Sequence, residues 1–242
     1  MNSNSKRVAF IFGGSRGIGA ASVSRLAHDG YAVAFTYVSR EDKAVQLADG
    51  IVARGGKALP IKADSANPND IRAAIAQAVE QYGQIDVLVV NAGVFDFAMI
   101  DTMPLDKLDL ILNVNVRGVY LSIQAAIPHI KYGGRVITIG SNVAVRAGSP
   151  GVSAYQMSKG AVAAMVKGIA HDLAPRRITV NNVQPGAIGT DLIPDHQAAA
   201  GGTILKRTGT PEEVAGLISY LAADEAAFMT GTSITMDGGY VL

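Results

Sequence analysis

The sequence predicts one α/β domain with a parallel sheet of about seven strands and helices on both of its faces. Three observations carry this. Short β-branched runs alternate with longer helical patterns along the whole chain. One run, Val87-Leu-Val-Val90, is apolar without interruption, as expected of a strand covered on both sides. No repeat, low-complexity tract or linker divides the 242 residues into two units. Strands alternating with helices imply right-handed βαβ crossovers and so a doubly wound sheet.

The elements follow in order. Val8 to Phe12 reads as a buried strand, followed by a glycine-rich turn and a helix from about Gly17 to His28. Ala32 to Tyr37 is a second strand, and Glu41 to Ala53 a helix stopped by Gly55-Gly56. Lys57 to Ile61 is a third strand; Ile71, Ile75 and Val79 then recur every four residues as the apolar stripe of a helix. After the Val87 to Val90 strand come two long helices, about Pro104 to His129 and Ser153 to Leu173, separated by the strand Arg135 to Gly140. Ile178 to Val183 is the sixth strand and Ser233 to Met236 the last. Between them Thr210-Pro-Glu-Glu213 opens a helix with an N-cap Thr, a Pro at the first helical position and a Glu at the third, a capping box.

Composition excludes several function classes. The net charge of +1 provides no basic field for nucleic acid or an anionic membrane. The absence of Cys removes disulfide scaffolds, thiolate nucleophiles and iron–sulfur chemistry, and fits a reducing compartment. Met1 to Arg7 lacks an apolar core of the secretory type, and no uninterrupted apolar run reaches bilayer length. A soluble, cytoplasmic protein is expected. His28, His129 and His171 are scattered over predicted helices and suggest no metal site. His196, beside Asp195 and near Asp191, reads as part of a polar lid over Gly189 to Leu205 rather than a metal pair.

Two segments carry chemistry. Gly13-Gly-Ser-Arg-Gly-Ile-Gly19 lies between the first strand and a helix. Glycines there let backbone approach a pyrophosphate, and the helix N-terminus offers it N–H groups and a favourable dipole. The turn therefore points to a dinucleotide. NAD selectors place an acid at the tip of the second strand, where it meets the ribose hydroxyls; here Ser39 and Arg40 follow that tip, and Arg16 lies in the turn. Two guanidinium groups and a hydroxyl suit a 2′-phosphate, so NADP(H) is favoured, with Glu41 close enough to leave dual use open. The second segment is Tyr155-Gln-Met-Ser-Lys159, whose spacing puts Tyr and Lys on one helix face. A neighbouring ammonium and a nicotinamide cation would lower the phenol pKa, making Tyr155 a proton donor to a ketone oxygen.

Their companions complete the pattern. Asn91-Ala92-Gly93 and Ser141 fall at C-terminal strand ends, Asn115 in a long helix, and Pro185-Gly186 after the sixth strand, with Ile188 and Thr190 next. In these motifs, and over essentially its whole length, the sequence resembles the short-chain dehydrogenase/reductase family. The resemblance implies a single Rossmann-type domain over residues 1–242 and an Asn115–Ser141–Tyr155–Lys159 tetrad. In it Tyr155 is the general acid/base, Ser141 binds the substrate oxygen, Lys159 holds the nicotinamide ribose, and Asn115 anchors a proton-relay water. It also implies coenzyme contacts from Gly13, Ser15, Arg16, Gly17, Ile18 and Gly19 in the turn. Others come from Tyr37, Ser39 and Arg40, from Asp64 and Ser65 (Asp64 toward the adenine), from Asn91, Ala92 and Gly93, and from Pro185, Gly186, Ile188 and Thr190. Val94, Phe95, Asn142, Val143, Val152 and Leu192, with Ser141, are expected to line a largely apolar substrate pocket.

Two positions depart from the family pattern. Phe12 stands where a Thr is usual, and Val90 where the first Asn of Asn-Asn-Ala-Gly is usual. Losing both polar partners together is consistent with an exchange of hydrogen bonding for packing between the first and fourth strands. The implied activity is NADP(H)-dependent reduction of a ketone to a secondary alcohol by a homotetramer joined through its long helices and last strand. A 3-oxoacyl-carrier-protein reductase is the alternative substrate reading, little supported by the +1 charge. An alternative of another class is a nucleotide-binding regulator, of cyclic-di-GMP type, on the same scaffold.

Overall fold

Seven strands pair in parallel in the order β3-β2-β1-β4-β5-β6-β7. The computed structural model describes residues 7–191 and 200–242. The strands are β1 (Val8–Phe12), β2 (Ala32–Tyr37), β3 (Lys57–Lys62), β4 (Ile85–Val90), β5 (Ile130–Ile139), β6 (Thr179–Pro185) and β7 (Ser233–Met236). The helices are α1 (Gly17–His28), α2 (Glu41–Val52), α3 (Pro68–Tyr82), α4 (Leu105–Leu112), α5 (Val119–Ala126), α6 (Ser153–Leu173) and α7 (Pro211–Ala222). All five residues of β1 are buried, and their alternation divides the core. Phe10 and Phe12 face Ile71, Ile75, Ile123 and Val162 on α3, α5 and α6. Ala9 and Ile11 face Val23, Leu26, Ile51 and Ile218 on α1, α2 and α7. The predicted doubly wound sheet is thus present, with its strand order reversing between β1 and β4. Ligand crevices open at such a switch point, outside the C-terminal ends of the strands.

The capping box that opens α7 is formed in both directions. Glu213 N–H donates to Thr210 Oγ1 at 3.2 Å, and Thr210 N–H donates to Glu213 Oε2 at 2.8 Å. Two elements differ from the sequence reading. Strand β5 begins at Ile130, because Ile85 pairs with Ile130 before a register shift carries Val87 onto Arg135. The long helix expected from Pro104 to His129 is not uniformly α-helical: Asn113–Gly118 forms a π-helical segment between α4 and α5. Such insertions re-aim side chains and are common at functional sites. A Cβ at Gly118 would lie 2.4 Å from the Ser65 carbonyl, so this segment packs backbone to backbone on the loop after β3. The run Leu105–His129, with a mean hydropathy of 1.3, is long and apolar enough to cross a bilayer. It directs much of that apolarity inward, burying Val119, Ile123 and Ala126 against the core shared with β4.

Candidate active site

The glycine turn between β1 and α1 is built by close contacts that exclude side chains. Gly13 has φ +75°, and a Cβ there would lie 2.8 Å from Ala92 Cα. At Gly19 a Cβ would lie 2.0 Å from the Gly13 carbonyl, so even alanine is excluded. Neighbouring strands hold the turn open: Gly13 N–H donates to Thr36 Oγ1 at 2.9 Å, and Asn91 Nδ2 donates to the Gly13 carbonyl at 2.7 Å. Arg16 is the N-cap of α1 and offers no side-chain cap, which leaves the first turn of the helix suited to an anion.

A cavity of about 430 Å³ lies against this turn. It brings together Gly13, Arg16, Gly17 and Ile18 from the turn, and Ser39 from the end of β2. Asp64 and Ser65 join from the loop after β3, Asn91, Ala92, Gly93 and Val94 from the loop after β4, and Thr190 from beyond β6. These residues fit a dinucleotide, with a glycine cradle and an uncapped helix end at the centre and a cation and a hydroxyl at one side. Other expected coenzyme residues are placed differently. Ser15 is partly buried within the turn itself. Tyr37 is buried and hydrogen-bonds Glu41; burial, together with the charge of that carboxylate, pushes the phenol upward. Arg40 is exposed and grips Asp42 with both Nε (3.0 Å) and Nη2 (2.8 Å). Ile188 is buried and bridges to Gly209, while Pro185 pairs with Met236 at the end of the sheet. Gly186 abuts β7: a Cβ there would lie 2.6 Å from Asp237 Cβ.

The four tetrad residues converge at the C-terminal ends of β4 and β5. Tyr155 and Lys159, one turn apart on α6, stack so that Lys159 Nζ lies 5.7 Å from the Tyr155 ring centroid. Ser141 follows β5, accepts a hydrogen bond from Val143 N–H at 3.3 Å, and hydrogen-bonds the Tyr155 hydroxyl. Lys159 is 4% exposed and donates to the Ile139 carbonyl at 2.9 Å. Asn115, fully buried, projects from the π-helical segment. Its Oδ1 accepts from Val94 N–H, and its Nδ2 donates both to the Val94 carbonyl, each at 2.8 Å, and to Ser158 Oγ at 3.1 Å. Ser158 donates in turn to the Tyr155 carbonyl at 2.7 Å, locking Asn115 to the Tyr–Lys turn. The π-helical insertion is what aims Asn115 at this loop.

Burial dominates the electrostatics of the protein's own groups here. Burial pushes Tyr155 up to about 12, opposed by the hydrogen bond with Ser141, and the expected lowering by Lys159 does not prevail. Lys159 is itself lowered by burial to about 8, because desolvation penalises its charged form. Burial thus makes Tyr155 a weaker acid than a free phenol, protonated across the neutral range as any phenol is.

Of the expected pocket residues, Phe95 meets the Tyr155 ring edge-on, with centroids 4.9 Å apart at 87°. Val152 is buried and Val143 partly so. Asn142 is buried, and its amide turns away to donate to Asp237 Oδ2 at 3.3 Å. Leu192 and the middle of the expected lid, including Asp195 and His196, lie outside the described residues. Sequence reading passed over Thr36, Ser158 and Asp237. Their signals were position only, since Thr36 precedes Tyr37 at the strand tip and Ser158 lies inside the Tyr-x-x-x-Lys spacing.

Comparison with known proteins agrees with this fold. Residues 13–241 match the family model described as enoyl-(acyl carrier protein) reductase. A short-chain dehydrogenase/reductase from Serratia marcescens superposes with a TM-score of 0.96 at 47% identity, over 98% of each chain. A blue fluorescent protein from a metagenomic library, solved in complex with NADPH, superposes with a TM-score of 0.95 at 42% identity, again over 98% of each chain. The cyclic-di-GMP-binding biofilm dispersal mediator protein of Escherichia coli is 39% identical over 97% of each chain. The fold and the site define a doubly wound dinucleotide-type oxidoreductase. The chain belongs to the short-chain dehydrogenase/reductase family.

Proposed function

We propose that this chain is an NADP(H)-dependent reductase that converts a ketone to a secondary alcohol. One observation carries the reading: Tyr155, hydrogen-bonded to Ser141 and with Lys159 Nζ over its ring, stands beside a cavity lined by the glycine turn. Gly13, Gly17 and the α1 N-terminus would hold the pyrophosphate, Arg16 and Ser39 the 2′-phosphate, and Lys159 the nicotinamide ribose. NADPH supplies hydride chemistry when bound, at nicotinamide C4. Ser141 and Tyr155 together present two hydroxyls to the substrate oxygen. A ketone oxygen held there would take the Tyr155 proton, and Lys159 would stabilise the tyrosinate left behind. The NADPH complex of the metagenomic relative supports the coenzyme assignment.

The reading includes a cytoplasmic homotetramer. Exposed Leu105 and Tyr120 on the α4–α5 run are apolar groups that a partner would cover. A 3-oxoacyl-carrier-protein substrate remains the second choice within the class. A nucleotide-binding regulator is the rival from another class, favoured by the Escherichia coli relative. Oxidation of NADPH measured against a panel of ketones separates them. Turnover that Tyr155→Phe abolishes supports the reductase, whereas tight cyclic-di-GMP binding with no turnover of any ketone supports the regulator.

A further inference from the structure

We infer that Asp237, just beyond the end of β7, is a positioning residue for Ser141 that acts through Asn142. The inference rests on the reductase reading above and adds a residue to its machinery. The chain of contacts starts at the C-terminal turn. Asp237 Oδ1 accepts from Gly239 N–H at 3.0 Å, and Oδ2 accepts from Val241 N–H at 3.1 Å, so the tail winds around the carboxylate and fixes its direction. Gly186 leaves the space for it, since a Cβ there would collide with Asp237 Cβ. What remains of Oδ2 accepts from Asn142 Nδ2.

Asn142 in turn organises the segment that presents Ser141. Its carbonyl accepts from Val145 N–H at 2.9 Å and from Arg146 N–H at 3.1 Å, closing the helical turn Asn142–Ala144. Ser141 is the N-cap of that turn, in extended conformation, with its Oγ shared between Val143 N–H and the Tyr155 hydroxyl. Asn142 is 6% exposed, so its amide has no solvent to turn to if Asp237 is lost. A buried amide without its acceptor repacks. Rotation of Asn142 then moves the adjoining Ser141 off the line to Tyr155, where displacements of about 1 Å cost rate steeply.

The same contacts connect the tail to the loop beside the site. Arg146 donates to the Tyr240 carbonyl at 3.0 Å, and its guanidinium lies 5.7 Å from the Tyr240 ring centroid. A tail that only tied down the C-terminus would need Arg146 and Tyr240 alone. The part-buried Asp237–Asn142 pair, one residue from Ser141, places the tail in the geometry of proton donation.

The test compares Asp237→Asn, Asn142→Ala and the exchanged pair Asn142→Asp/Asp237→Asn. Each is measured for kcat and KM with a ketone, for NADPH affinity by fluorescence titration, and for thermal midpoint. Each single change is expected to lower kcat about tenfold while leaving the NADPH Kd within about twofold, because the coenzyme cradle is untouched. The exchange restores the pair in the opposite sense but turns an amide N–H2 toward Val241 N–H, so it is expected to recover kcat in part, about threefold above the singles. Singles that lower only the thermal midpoint, or an exchange no better than the singles, overturn the role of Asp237. If Asp237→Asn fails to fold, Asn142→Ala decides, since it leaves the bonds from Asp237 to the tail intact. An unaltered chain that reduces no ketone overturns instead the reductase reading on which the inference rests.

Discussion

Phe12 and Val90 are paired across β1 and β4, both buried and both packed into the same apolar cluster. Phe12 also lies 4.8 Å from Phe10, centroid to centroid. These are the two positions at which the resemblance implies polar residues, and as neighbours in space they meet by apolar packing. A single polar substitution is therefore expected to do more harm than a pair. Val90→Asn leaves a buried amide without a partner, at a cost of about 1–3 kcal/mol beyond the lost packing. Phe12→Thr leaves a cavity and an orphan hydroxyl, costing about 3 kcal/mol or more. In Phe12→Thr/Val90→Asn each new group can satisfy the other, so the loss should fall short of the sum by about 1 kcal/mol. Urea unfolding of the four chains measures this directly, and strict additivity would show that the two side chains do not interact.

How far the sequence spoke for itself follows the range of the interactions involved. Strand and helix order, the glycine turn and the Tyr155–Lys159 face depend on local patterns, and each lies where the pattern puts it. The π-helical segment at Asn113–Gly118 depends on Asn115 reaching Val94 and on Gly118 meeting Ser65, contacts between residues far apart in sequence. No periodicity encodes them. The same holds for Thr36 under Gly13 and for Asp237 beside Asn142. The upward shift of Tyr155 was also illegible, because residue spacing does not report burial.

Those opposed shifts predict a pH signature of stability. The folded pKa of Lys159, about 8, lies below its ordinary 10.5. The unfolded chain therefore binds more protons between those values, and unfolding free energy rises with pH across that window. The contribution is fully present above the unfolded value and lost as pH falls through the folded one. For a group this buried the gain is on the order of 3 kcal/mol, and Lys159→Met should abolish it. Tyr155 has the opposite sign, its stability present below 10 and lost as pH rises through about 12. Denaturant unfolding from about pH 7 to 10 is the measurement. Equal slopes in the parent chain and Lys159→Met would exclude the lysine as the source.

Arg40 and Arg16 should contribute unequally to coenzyme choice. Arg16 lines the cavity that also holds Ser39, whereas the Arg40 fork is engaged by Asp42. That ion pair is solvent-exposed and weakly held, so a phosphate can displace it, though against competition. Arg16→Ala is expected to weaken NADPH binding about tenfold and NADH binding little, with a smaller effect from Arg40→Ala. Asp42→Asn should tighten NADPH by releasing the guanidinium. Fluorescence titration with both coenzymes decides, and an unchanged NADPH-to-NADH ratio in both arginine variants would remove these residues from the phosphate site.

Asn115 offers the most discriminating substitution, because Val94 presents it with both a donor and an acceptor. Oδ1 takes the Val94 N–H while Nδ2 serves the Val94 carbonyl and Ser158 Oγ. Only a side chain with one of each can do this without solvent. In Asn115→Asp one oxygen keeps the N–H, but the other confronts the Val94 carbonyl and carries buried charge, a combination costing more than about 3 kcal/mol at neutral pH. A protonated carboxyl regains the donor, so the folded pKa of the introduced acid must lie above its value in the unfolded chain. The restored stability is present below the unfolded pKa and lost as pH rises through the folded one. Asn115→Asp should therefore approach the parent chain as pH falls toward about 4, while Asn115→Ala, which has no proton to gain, keeps a constant deficit. Parallel unfolding curves for the two variants would mean that Asn115 fills space without bridging Val94 to Ser158. Convergence of the aspartate variant alone would show that the bridge is an obligate donor–acceptor pair, and that the π-helical segment exists to deliver it.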